Sequence, residues 1–191
     1  MKWILARKPQ PVLWKGLVAG AAGGIGATVA MTAFQSLWTY VDDRLRNRGV
    51  DGRNGDSLSE DLDREPTSSE VEEESDATVE VAERLSEGFF GYELDPRQKK
   101  LAGSAVHYGF GTAVGAVYAA AAEYSPKVTR GDGVPFGAAL MVVSDEVAVP
   151  ALGLSQPPRE KPLSTHLYAL CSHAVYGFVL ETLRRSVRKA L

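Results

Sequence analysis

The chain has 191 residues, a formal net charge of −3, one cysteine, and 45% hydrophobic against 24% charged residues. These averages resemble a soluble protein, but the charges crowd between Asp42 and Lys100 and at the chain ends, and long uncharged runs remain elsewhere, as when membrane spans alternate with solvated loops. The basic residues are short flanks of apolar runs, which gives no reason to expect a nucleic-acid partner, and Cys171 alone, with no CxxC or Cys/His cluster, excludes an internal disulfide and leaves no zinc or redox motif to read.

One membrane domain is expected over residues 1–191. Lys2, Arg7, Lys8 and Lys15 precede an uncharged run of 26 residues from Gly16 to Val41. That run is far longer than the roughly 7–15 residues of a signal-peptide core and ends without an A-x-A site, so an uncleaved first span is expected. Four segments are long enough to cross a hydrocarbon core as helices: 16–40, 101–124, 133–154 and 163–183. The fold class is therefore all-α, an integral membrane bundle of about four helices.

The first two spans are rich in Gly and Ala. Gly16, Gly20 and Gly24 form a small-xxx-small ladder in one, and Gly111 with Gly115 forms another in the second, so both are expected to present a close-packing face. Between them lies a loop over 42–100 whose middle, Gly49 to Ser75, is polar and acidic and is expected to be flexible. Val79, Val81, Ala82, Leu85 and Phe89 then recur at helical spacing, which predicts an amphipathic surface helix over 77–90, ended by Gly88 and Gly91. Asp95-Pro96 marks the start of the second span.

A four-span topology puts Lys15 and its upstream cations, Lys127, Arg130, Arg184, Arg185, Arg188 and Lys189 on one side. By the positive-inside rule both termini are then cytoplasmic, although Arg44, Arg46, Arg48, Arg97, Lys99 and Lys100 fall on the other side and weigh against it.

The run from Gly20 to Gly26 resembles the glycine-rich turn of short-chain dehydrogenases. That turn needs a strand before it and an acidic residue about 20 positions later at a second strand end, whereas here the chain continues apolar through Phe34, Leu37 and Trp38. No cofactor is expected.

Ser144-Asp145-Glu146 lies near the middle of the third apolar run. A lone acidic residue at the centre of a membrane helix costs about 3 kcal/mol, so this pair must be paired, protonated or hydrated. His107 in the second span and His166 and His173 in the fourth are the available partners. His166 and His173 are seven apart and share a face with Leu170 and Gly177, which is expected to look inward. His166, near the span end, is expected at an interface, so the intramembrane cluster is His107, Asp145, Glu146 and His173. Such a cluster is compatible with a bound metal, a proton relay or a satisfied polar knot. Glu123 and Glu181, at span ends, are expected at headgroup level or in salt bridges, and Pro150 is expected to kink or end its helix and free carbonyls beside the acidic pair.

His107, the run Ala122-Glu123-Tyr124-Ser125-Pro126, the run from Val149 to Leu154, Ser172-His173-Ala174-Val175-Tyr176 and the run from Glu181 to Arg185 together resemble the YagU family of bacterial inner-membrane proteins, over about Leu101 to Lys189. The resemblance implies a four-span inner-membrane protein whose family has no established activity. Two functions are open. One is proton or ion handling through the His/carboxylate cluster. The other is a non-catalytic interaction protein in the lipid bilayer, which forms a homo-oligomer through its glycine faces and docks a protein partner on its acidic loop. No serine or cysteine nucleophile stands in a recognisable setting with a base, so an enzyme is not expected.

Overall fold

The computed structural model describes residues 11–51 and 67–191, and every regular element among them is helical. The middle of the acidic loop, 52–66, and the leading cations Lys2, Arg7 and Lys8 lie outside the described residues.

Helix α1 spans Leu13–Asp51. Its buried positions are Gly16, Ala19, Gly20, Gly23, Gly24, Ala27, Thr28, Met31 and Gln35, an i, i+3/i+4 stripe of mostly small residues. Its exposed face carries Leu17, Val18, Ile25, Val29 and Leu37. This reverses the soluble pattern: large apolar side chains face out and small or polar ones face in. Helix α2 spans Thr67–Phe90 and ends at Gly91, whose φ of 63° is left-handed. Helix α3 spans Pro96–Tyr124; Asp95 accepts from the Arg97 and Gln98 amides while the Gln98 side chain accepts from the Asp95 amide, a complete capping box.

The chain turns through a 3₁₀ segment, Pro126–Gly133, in which Arg130, Gly131 and Asp132 leave helical geometry. A broken helix follows: α4 (Val134–Met141), a π-helical segment (Val142–Ala148) and α5 (Val149–Ala151). Helix α6 spans Leu163–Ala190.

Two glycine contacts fix the bundle. A Cβ at Gly24 would lie 2.5 Å from the Gly111 carbonyl oxygen, one at Gly115 would lie 2.5 Å from the Gly20 carbonyl oxygen, and one at Gly16 would lie 2.7 Å from Glu123 Cγ. The α1 ladder therefore meets the α3 ladder, antiparallel and backbone to backbone, within one chain. A second contact was not singled out from the sequence: a Cβ at Gly133 or Gly137 of the broken helix would strike the Gly177 or His173 carbonyl of α6. Helix α1 also packs antiparallel to α6, where Gly23 meets Leu180 and the Trp38 ring meets Tyr168 at 5.9 Å. The Tyr118 and Phe136 rings, 4.4 Å between centroids, close the bundle between α3 and α4.

At the end where the described chain begins and finishes, Arg188 bonds Glu123, which also accepts from the Val12 amide. Glu181, 1% exposed, accepts from Tyr118, Arg184 and Arg185. Glu123 and Glu181 thus sit in salt bridges, one of the two settings expected of them.

Two expectations need correction. The loop over 42–100 is largely helical where it is described: α1 runs on to Asp51 and α2 begins at Thr67. The low hydrophobicity of 49–75 was read as absence of structure, whereas Glu, frequent in the first half of α2, favours helix. Nor does α2 end at Gly88; it lies along the start of α3, with Ala77 and Ala82 buried and Val79 against Gly103. Glu83 hydrogen-bonds Lys99, and that bond raises the Lys99 pKa above the ordinary lysine value. Of the four expected spans, two lie in helical stretches that are, among the described residues, long and apolar enough to cross a membrane: Leu13–Leu45 and Pro126–Ala151. Helix α3 replaces Leu with Ala and Gly, and α6 carries His166, Ser172, His173 and Glu181, which lowers the hydropathy of both.

Gly20→Ala should lower bundle stability by about 1–3 kcal/mol through overpacking. Gly109→Ala, where a Cβ meets nothing within 4 Å, should raise it by roughly 0.5–1 kcal/mol. Thermal unfolding in detergent reads both. Glu181→Ala should cost about 3–5 kcal/mol, because it strands Arg184 with its main partner gone; equal unfolding midpoints for wild type and variant would contradict the burial of that group.

Candidate functional site

Proline places the acidic pair. Pro150 has no N–H and its ring crowds the carbonyl one turn earlier, so an α-helical register cannot continue through it. The Val149 amide instead bonds the Ser144 carbonyl, five residues back, and the chain runs as π-helix from Val142 to Ala148. In that register the donor to the Asp145 carbonyl would be Pro150, which has none. The carbonyl that Pro150 leaves without a donor in this register is that of Asp145, within the acidic pair.

The π segment forms one wall of a cavity of about 450 Å³. Helix α1 contributes Thr28 and Met31, α2 contributes Ala77, Thr78 and Val81, α3 contributes Val106, His107, Phe110 and Gly111, and α6 contributes Thr165, Tyr168, Ala169, His173 and Tyr176. The cavity lies at the opposite end of the bundle from the Glu123 and Glu181 salt bridges. Tyr176 is held by its hydroxyl, which donates to the Gly111 carbonyl at 2.6 Å.

The hydrogen bonds fix where protons reside. His166 Nε2 lies 3.1 Å from the Pro158 carbonyl oxygen, which can only accept, so Nε2 carries a proton. His166 Nδ1 lies 2.6 Å from Glu146 Oε1. A neutral ring protonated on Nε2 has a lone pair on Nδ1, so that contact requires one further proton, on Nδ1 or on the Glu146 carboxyl. The pair therefore holds a proton between two groups that can each carry it.

His173 Nδ1 lies 3.0 Å from the Ala169 carbonyl oxygen, which assigns a proton to Nδ1 and leaves Nε2 as the acceptor of the neutral ring. The same Nδ1 is 3.5 Å from Asp145 Oδ2, while Ser144 Oγ lies 2.5 Å from Asp145 Oδ1 and 2.9 Å from the Leu140 carbonyl. Asp145 Oδ2 thus has only a long contact, and a third of its side chain is exposed, at 33%.

His107, Asp145, Glu146 and His173 all line this one cavity. His107 is within electrostatic range of His173 and Asp145. His166, expected at an interface, instead makes the shortest of the His–carboxylate contacts and sits behind Glu146 rather than on the cavity wall. It comes within reach because Pro157, Pro158 and Pro162 turn the chain back before α6; a separation of twenty residues across a hairpin leaves no periodic trace. Leu170, expected on the inward face, is exposed, and the buried stripe of α6 is Tyr168, Ser172, His173, Tyr176, Gly177, Leu180 and Glu181. Among the described residues no group of three or more His, Cys, Asp or Glu is arranged to hold a metal ion.

These features define an all-helical bundle with two membrane-length apolar helices and polar groups turned inward. The chain belongs to the family described as protein of unknown function, DUF1440, which matches residues 79–182. That range takes in α3, the π segment and most of α6, and so every residue of the His/carboxylate cluster. No curated protein and no solved structure matches the chain.

A double-mutant cycle checks the Glu146–His166 contact. Glu146→Ala and His166→Ala should each destabilise, and their coupling should be about 1–3 kcal/mol. Effects that add within about 0.5 kcal/mol would show that the two side chains do not interact.

Proposed function

We propose that this is a four-span inner-membrane protein of the bacterial YagU type, not an enzyme, which holds and moves a proton through its His/carboxylate cluster. Support for four spans comes from the surfaces of the two helices with lower hydropathy. Helix α3 exposes Leu101, Phe110 and Val117, and α6 exposes Leu163, Leu167 and Phe178. Exposed apolar side chains along α1, α3 and α6 are costly in water and cost nothing in lipid. Trp14 and Trp38, both exposed on α1, stand about 36 Å apart at 1.5 Å per residue, the spacing of two interfacial belts. The cluster of Lys15, Arg184, Arg185 and Arg188 at one end supports, by the positive-inside rule, a cytoplasmic position for that end.

The observation that carries the proton reading is the double engagement of His166, with an acceptor on each ring nitrogen. The proton between His166 and Glu146 is mobile in kind. Glu146 lines the cavity, and so do Asp145, His107 and His173, so other groups able to carry a proton lie within the same space. Assembly of a homo-oligomer through the glycine ladders finds no support, because both ladders are buried against each other within the chain.

Full-length protein in liposomes, with a pH-sensitive dye inside and an imposed pH gradient, should pass protons faster than empty liposomes. Glu146→Gln and His166→Ala should each lower that rate by about tenfold or more. A wild-type rate equal to that of empty liposomes would overturn the proposal.

A further inference from the structure

The cavity is larger than proton handling requires. Its volume of about 450 Å³ falls within the roughly 300–1,000 Å³ of small-molecule sites, and its construction matches theirs: mostly apolar walls with a few converging polar groups. A relay of side chains and a few waters would not need walls of Val106, Phe110, Leu140, Val143 and Val149.

The polar groups on those walls differ in what they can still accept. Glu146 Oε1 is engaged by His166 at 2.6 Å, and with the proton they share that pair carries no net charge for a ligand to answer. The His173 N–H is directed to the Ala169 carbonyl at 3.0 Å. The hydroxyl of Tyr176 is committed to Gly111, and Lys161, in the loop before α6, reaches Ser155 at 3.4 Å. Asp145 is different. Its Oδ1 is met by Ser144, but its Oδ2 has only the 3.5 Å approach of a His173 nitrogen whose proton points elsewhere. A carboxylate oxygen in an apolar cavity is stabilised by a charged donor, and aromatic rings nearby at Phe110, Tyr168 and Tyr176 suit a cation.

We propose that this cavity binds a lipophilic amine, with its ammonium nitrogen on Asp145 Oδ2 and its hydrocarbon body between α2, α3 and the π segment. This goes beyond the proton reading and does not depend on it: binding needs the volume and Asp145, whereas flux needs Glu146 and His166. A fatty acid would bring a second carboxylate towards Asp145, and a neutral alcohol would leave that charge unanswered.

The test uses the full chain in liposomes and an alkylamine carrying a diazirine near the end of its tail. After irradiation, labelling should concentrate on the peptides that contain Val106 to Phe110 and Val142 to Val149. Unlabelled dodecylamine should suppress it; dodecanol and dodecanoate at equal membrane loading should not. Asp145→Asn should lower cavity labelling by about tenfold or more through loss of the ion pair. Val106→Trp, which fills the space and keeps the carboxylate, should lower it as well. Labelling spread evenly over lipid-facing positions such as Ile25, Val117 and Phe178, equal competition by dodecanoate, or labelling unchanged in both variants would overturn the proposal. Labelling as expected in a protein that passes no protons would leave the ligand site standing and remove the proton reading alone.

Discussion

The close approach of backbones at glycine underlies the rest of this structure. Gly16, Gly20 and Gly24 of α1 lie against Gly111 and Gly115 of α3, and Gly133 and Gly137 lie against α6 at Gly177 and His173. In lipid there is no hydrophobic drive between helices, so association depends on such contacts and on polar groups that find partners across them. Helices drawn this near bring Tyr176 to the Gly111 carbonyl and Tyr118 to Glu181. They also turn the polar stripe of α6 inward, where His173 meets Asp145.

The two ends of the bundle solve the same problem differently. At one end buried carboxylates are matched by guanidinium groups, as in Glu181 with Arg184 and Arg185 and Glu123 with Arg188. Arginine keeps its charge at any physiological pH, so these pairs are permanent. At the other end carboxylates are matched by imidazoles, whose proton is exchangeable. A protein that needed only satisfied polar groups could use arginine throughout. The histidines, together with a π segment that reorients their partners, mark the second end as the one suited to chemistry.

Much of this was legible in the sequence, for identifiable reasons. The ladders of α1 and α3 showed because small residues recur at spacing four, and the need to match Asp145 and Glu146 followed from their cost in an apolar run. Pro150 announced a helix defect, though not its π form. What stayed hidden depended on the third dimension. His166 reaches Glu146 only because a proline-rich loop folds α6 back on the π segment, and Gly133 and Gly137, though four apart like the other ladders, find their partner Gly177 only in the fold. The first half of α2, ahead of the helix expected over 77–90, was hidden for another reason: acidic composition signals solvation, and a solvated segment can still be helical.

The central claim is that Glu146 and His166 share a proton inside a lipid-facing bundle. Solid-state NMR of the full chain in a bilayer, with nitrogen-15 in the histidines and carbon-13 in the glutamates, tests it directly. The account predicts that His166 is coupled through space to the Glu146 carboxyl, with Nε2 protonated and Nδ1 in a strong hydrogen bond to it. An ordinary neutral His166 ring, with a free lone pair on Nδ1 and no coupling to Glu146, would contradict it.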